Sequence, residues 1–106
     1  MVVRLWSART TPAQAQVYLQ HFANEVLPAL RKFGGYVSSS VLTRPAESAY
    51  EILVLTVWQS FTAIDAFAGP DREAAVVAPE AAALLTDYDR RARHFEVAAT
   101  DGLSFG

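Results

Sequence analysis

Few side chains in this chain can move a proton near neutral pH: it has two histidines, His21 and His94, and no cysteine. His94 lies in Asp89–Ala99 (DRRARHFEVAA), which alternates like a strand. With period two it shares a face with Ala92, Glu96 and Ala98, while Arg91, Arg93, Phe95 and Val97 take the other. A histidine among small residues on a sheet is a candidate general base. The same placement suits a structural histidine bonded to a neighbouring strand. His21 stands in a helical run with Glu25 four residues on, the spacing of a solvated i, i+4 pair. Tyr18 and Tyr36 are further candidate proton handlers. Trp6, Phe22, Trp58, Phe61 and Phe67 are candidates to line an apolar site. Each of them serves equally well as a core anchor.

Other chemistries find no foothold. No cluster has metal-ligand spacing, so no metal is expected. No nucleophile elbow is present. Gly34-Gly35 is a turn signal without the spacing of a phosphate loop. Arg90, Arg91 and Arg93 stand beside Asp87 and Asp89, so local charge nearly cancels and ion pairing is expected there rather than an anion site. Ser38, Ser39 and Ser40 can hydrogen-bond a ligand or fill space where two surfaces pack closely.

The elements that must position these residues follow from hydrophobic period. Strands are expected near Val2–Arg9, Tyr36–Thr43, Tyr50–Gln59 and Asp89–Ala99. Ile52–Leu55 is continuously apolar, as in a strand buried on both faces. Thr11 is the expected N-cap, and Pro12 the first residue, of a helix whose apolar face runs Ala15, Leu19, Phe22, Val26, Leu30 and Phe33. Pro28 removes a backbone donor within that run and clashes with the carbonyl of Asn24, so a kink or break is expected. Gly34-Gly35 closes the helix. Arg44 to Ala49 reads as a turn, Ser60 to Phe67 as a short helix stopped by Gly69-Pro70, and Asp71 to Leu85 as two helical pieces interrupted by Pro79. The order βαββαβ is the ferredoxin-like α+β arrangement, an antiparallel four-stranded sheet with helices on one face.

The chain has 106 residues, so one domain is expected over residues 1–99, with 100–106 as a tail. At 52% hydrophobic and 19% charged, the composition excludes disorder. A net charge of −2 offers no footprint for nucleic acid. No apolar run is long enough for a membrane span, and Met1-Val2-Val3-Arg4 lacks signal-peptide shape. The absence of cysteine is compatible with the cytoplasm, the expected location. Helices suffice for one sheet face only, so the apolar third strand leaves a face to be covered, and a symmetric homodimer is the simplest cover.

Several segments resemble the antibiotic biosynthesis monooxygenase-like family. They are Leu55-Thr56-Val57-Trp58-Gln59-Ser60 followed by Phe67-Ala68-Gly69, Val26-Leu27-Pro28-Ala29-Leu30 running into Gly34-Gly35-Tyr36, and the ending Arg93-His94-Phe95-Glu96-Val97. The resemblance covers roughly residues 2–99. It implies a dimeric α+β barrel in which two four-stranded sheets face each other and each subunit has a pocket between helices and sheet. Some members oxidise polycyclic phenols or quinols with O₂ and no cofactor; others bind and degrade haem; many have no known activity. For this chain it implies a cofactor-independent monooxygenase acting on a small electron-rich aromatic compound. Such a substrate must itself supply the electrons to O₂. His94, Tyr36 and Tyr18 would handle the proton, and Trp6, Phe22, Trp58, Phe61 and Phe67 would bind the apolar body. Haem-degrading relatives carry a ligating histidine where this chain has Ala68, and an asparagine near Trp6, which argues against haem degradation of the known kind. A non-catalytic ligand binder and a degenerate barrel with Trp6 and Trp58 filling the pocket are the alternatives. An apolar cavity of about 300 Å³ or more favours a ligand, and a closed core favours the degenerate barrel.

Overall fold

The computed structural model describes residues 1–102; residues 103–106 of the expected tail lie outside the described residues. Strand β1 (Val2–Thr10) leads into helix α1 (Pro12–His21), a π turn (Phe22–Val26) and helix α2 (Leu27–Leu30). Strands β2 (Tyr36–Ala46) and β3 (Ala49–Trp58) form a hairpin, followed by α3 (Phe61–Ala68), α4 (Pro79–Ala82), β4 (Asp87–Tyr88) and β5 (Arg93–Glu96). The sheet order is β2-β3-β1-β4, with β5 also on β1, and every pairing is antiparallel. This is the expected ferredoxin-like topology.

Local chemistry sets most boundaries. Thr11 accepts a hydrogen bond from the Gln14 amide at 3.2 Å with Pro12 behind it, and Ser60 caps α3 through the Ala63 amide at 3.2 Å. The break expected at Pro28 takes the form of the π turn: the Leu27 amide reaches back to the Phe22 carbonyl, and the helix resumes with Pro28 in its first turn, where no donor is needed. The helix ends at Leu30, earlier than the run to Phe33 predicts; residues 31–35 form the turn into β2.

Three expectations need correction. Strand β2 continues to Ala46, so the turn expected over Arg44–Ala49 contracts to Glu47-Ser48; β2 is an edge strand, where Pro45 costs no ladder bond. Asp71–Leu85 contains only the four-residue α4, and residues 71–78 form an irregular strap. The strand expected over Asp89–Ala99 forms only over Arg93–Glu96 (β5), and the two-residue β4 (Asp87–Tyr88) precedes the expected range as a separate strand. The Trp6 indole claims the Asp89 carbonyl at 2.7 Å, and residues 90–92 turn away from β1 to pair with the strap. There Ala75 donates to the Arg90 carbonyl and Ala92 to that of Glu73.

Residues of β1 and β3 sort by parity. Val2, Arg4, Trp6, Ala8 and Thr10 face the helices opposite Trp58, Thr56, Val54, Ile52 and Tyr50. Val2, Ile52, Trp58 and Ile64 meet Tyr18, Phe22 and Leu30 in the core. The other face carries Leu5, Leu53, Leu55 and Val57, all partly exposed, with no helix of the described residues over it.

Gly35 fixes the entry to β2. Its φ is +84°, and a Cβ there would stand 2.5 Å from the Ala63 Cβ. Gly35→Ala should therefore cost about 2–4 kcal/mol, lowering the melting temperature by about 10 °C or more. Gly34→Ala, with open space at its Cβ, should melt within a degree or two of the parent. Equal melting of the two variants would remove this account of the junction.

Candidate functional site

A cavity of about 80 Å³ opens between the sheet and α1. Its floor is Arg4 and Trp6 from β1 with Val54 and Thr56 from β3. Tyr18, His21, Phe22, Val26 and Leu30 come down from the helical segment, Phe67 from α3, and Val76, Val77 and Ala78 from the strap. The cavity shares His21, Val26, Leu30, Phe67, Val76 and Ala78 with a wider outer groove of about 550 Å³, where Glu25 and Glu80 stand. The inner chamber alone is smaller than an aromatic ligand needs; chamber and groove together exceed the 300 Å³ mark.

Of the residues expected at a site, Trp6, Tyr18, Phe22 and Phe67 line this cavity; Trp58, Phe61, Tyr36 and His94 lie outside its lining. Trp58 is fully buried in the core. Its indole donates to Thr56 Oγ1 at 2.8 Å, and Phe33, Tyr36 and Phe67 pack round its ring. The Tyr36 hydroxyl donates to Ser39 Oγ at 2.7 Å. Phe61 lies under the Arg72 guanidinium, 4.4 Å from ring centre to Cζ. Burial pushes the Tyr18 phenol up to about 12, so it remains a hydrogen-bond donor through neutral pH.

His94 faces the helices, opposite Arg4 on β1. Its Nε2 lies 2.9 Å from Arg4 Nη1. Arginine only donates, so Nε2 is the acceptor and the imidazole proton sits on Nδ1. Arg4 also donates to the carbonyls of Arg72 at 2.6 Å and Ala74 at 2.8 Å, and its guanidinium lies 5.5 Å from the Phe67 ring centre. Arg4 is 5% exposed and forms no ion pair among the described residues; burial lowers its pKa. The strap is held further by Arg72 on Asp65, at 2.6 and 2.9 Å, and by Arg91 on Asp71 and Glu73. Asp87 and Asp89 pair with Arg9, not with the arginine run beside them.

Two lining residues escape a sequence reading. Arg4 looks like an ordinary polar residue of a strand. His21 looks like half of a surface pair with Glu25; its Nε2 is instead buried without a hydrogen-bond partner. Its position three residues after buried Tyr18 was the available signal, since that places it on the edge of the buried stripe.

Burial, then the charges of Arg4 and Arg72, hold His94 neutral below its ordinary value of 6.5, against Glu73 and Asp65. In the window just below 6.5 the unfolded chain therefore binds more protons at this residue than the folded one. Stability falls as pH drops through that window and the loss levels once the folded imidazole is also charged. The carboxyls of Asp65, Asp71 and Asp87, held below 3.8 chiefly by hydrogen bonds from arginine, add their loss only in stronger acid. Melting curves from pH 7.5 to 5 should show a fall in the parent that is smaller in His94→Gln, whose amide oxygen still accepts from Arg4. An equally steep fall in both would show that His94 does not carry it.

No protein-family model matches the sequence, and no curated protein matches it. Solved structures do. A Bacillus cereus protein bearing the antibiotic biosynthesis monooxygenase name superposes with a TM-score of 0.68 at 16% identity, covering 96% of this chain and 97% of that one. One of that name from Deinococcus radiodurans gives 0.62 at 13% identity, over 98% and 99%. The haem degrader MhuD from Mycobacterium tuberculosis, with two haems bound in its active site, gives 0.62 at 26% identity, over 96% and 100%. Over nearly its whole length this chain shares the fold of these two proteins named for antibiotic biosynthesis monooxygenase and of MhuD.

Proposed function

We propose that this protein is a cofactor-independent monooxygenase that oxidises a small, flat, electron-rich phenol or quinol with O₂ in the chamber and groove between sheet and helices. The observation that carries the reading is the cavity wall. Trp6, Tyr18, Phe22 and Phe67 supply aromatic surface, and the buried, unpartnered His21 Nε2 lies among them. The names of the fold neighbours support oxygenation as the reaction class.

The reaction balances without a further reductant. A phenol with a ring C–H and one O₂ give a quinone and one water; the ring loses four electrons and dioxygen gains them. His21 Nε2 accepts the phenolic proton, which makes the ring a better electron donor. That role falls to His21 because His94 Nε2 already accepts from Arg4 and lies outside the lining. Tyr18 donates a hydrogen bond to substrate oxygen, and the strap and Phe67 keep bulk water from the chamber. A second copy of the chain covers the open sheet face through Leu5, Leu53, Leu55 and Val57, giving a mass in solution about twice 11.6 kDa.

Oxygen consumption with a panel of hydroxynaphthalenes and anthrones tests this. His21→Ala should lower kcat about 10²-fold or more and Tyr18→Phe less, while His94→Gln should leave turnover within about threefold. A full-speed His21→Ala, or no oxygen uptake with any member of the panel, would overturn the assignment.

A second reading, haem as substrate, rests on the 26% identity with MhuD and on the same His21. Haem titration separates it: a stoichiometric Soret shift abolished by His21→Ala would favour haem over the phenol, whereas an unchanged spectrum would remove it.

A further inference from the structure

The charge at the inner end of the cavity is unbalanced. Arg4 is 5% exposed and lines the chamber, yet no carboxylate pairs with it among the described residues. Its neighbours are neutral: two backbone carbonyls, the His94 imidazole and the Phe67 ring. Arginine cannot shed its proton to escape burial. A guanidinium has five N–H groups; those three hydrogen bonds leave Nε–H and one N–H of Nη2 without a partner among the described residues. The inner chamber holds no acidic residue, whereas Glu25 and Glu80 stand at the outer groove. Buried charges in folded proteins are paired, so this one lacks its counter-ion. A second observation points the same way: His21 Nε2, on the same chamber, is also buried and unpartnered.

We propose that the ligand of this cavity is a flat aromatic oxyanion, carrying one negative group that enters first and rests on the free N–H groups of Arg4, with its apolar body between Trp6, Phe22 and Phe67. This deepens the reading of the cavity as a substrate site and rests on it. The two glutamates at the groove disfavour a second negative group at the outer end, so the anion is single. Anchoring a phenolate or an enolate there would also hold the electron-rich form of the substrate, and a carboxylate would use the same donors.

The test uses matched pairs with the whole protein under nitrogen: naphthoate against its methyl ester, and naphthol against methoxynaphthalene, followed by calorimetry and by the arginine Nε–H resonances. At least one acidic partner should bind about tenfold or more tightly than its neutral mate and move the Arg4 resonance. The pair that does so identifies the anion as carboxylate or phenolate. Arg4→Met should abolish the preference, read as the ratio of acidic to neutral affinity within that variant; should that variant not fold, Arg4→Lys must keep the preference, since it keeps the charge. Neutral mates that bind as well as acidic ones, or a preference that leaves the Arg4 resonance unmoved, overturn the proposal. Oxygen uptake is scored separately. An anion preference without uptake leaves this inference standing and removes the monooxygenase; uptake with neutral and acidic partners alike does the reverse. Failure of every probe to bind removes both.

Discussion

A guanidinium buried without a carboxylate is the constraint round which the helix-facing side of this sheet is arranged. Taking such a charge out of water costs several kcal/mol even after relaxation. Arg4 recovers part of that by donating to the Arg72 and Ala74 carbonyls and to His94. Those bonds fix the strap over residues 71–78, which has little regular structure of its own. The strap in turn forms one wall of the cavity through Val76, Val77 and Ala78. A strand residue near the chain start thus decides where a loop far along the sequence lies.

The same arrangement explains why the last strand starts only at Arg93. The Trp6 indole and the Ser7 hydroxyl take the carbonyl and carboxylate of Asp89, and Arg91 pairs with Asp71 and Glu73 on the strap. Residues 90–92 are drawn off the sheet edge between these two attachments. His94 rejoins β1 opposite Arg4, on the helix side but outside the cavity lining.

Elements governed by neighbours in sequence were legible; contacts across the chain were not. The cap at Thr11, the helix beginning beside Ser60, the disruption at Pro28 and the alternation of β1 and β3 are local, and each appears where the residues place it. The late start of the last strand at Arg93 was illegible because its causes, Trp6 and the strap, lie outside its own segment. For the site, the aromatic wall of Trp6, Tyr18, Phe22 and Phe67 could be anticipated, since large apolar residues at helical and strand spacing face inward. Arg4 could not, because its burial depends on what packs against it and leaves no mark on its own strand; for His21 the mark was only its place three residues after Tyr18 on the edge of the buried stripe.

The hydrogen bonds that seal the cavity span an unusual length of chain. Arg4 is 68 residues from Arg72, 70 from Ala74 and 90 from His94, whereas the β2–β3 hairpin closes on a two-residue turn. Closing long loops is entropically costly and slow relative to hairpin formation. The contacts that hold the strap over the sheet are thus among the costliest in chain entropy, and those of the hairpin among the cheapest. The cavity wall depends on the distant contacts rather than the local ones, so it shares the fate of the whole fold and not of any one segment.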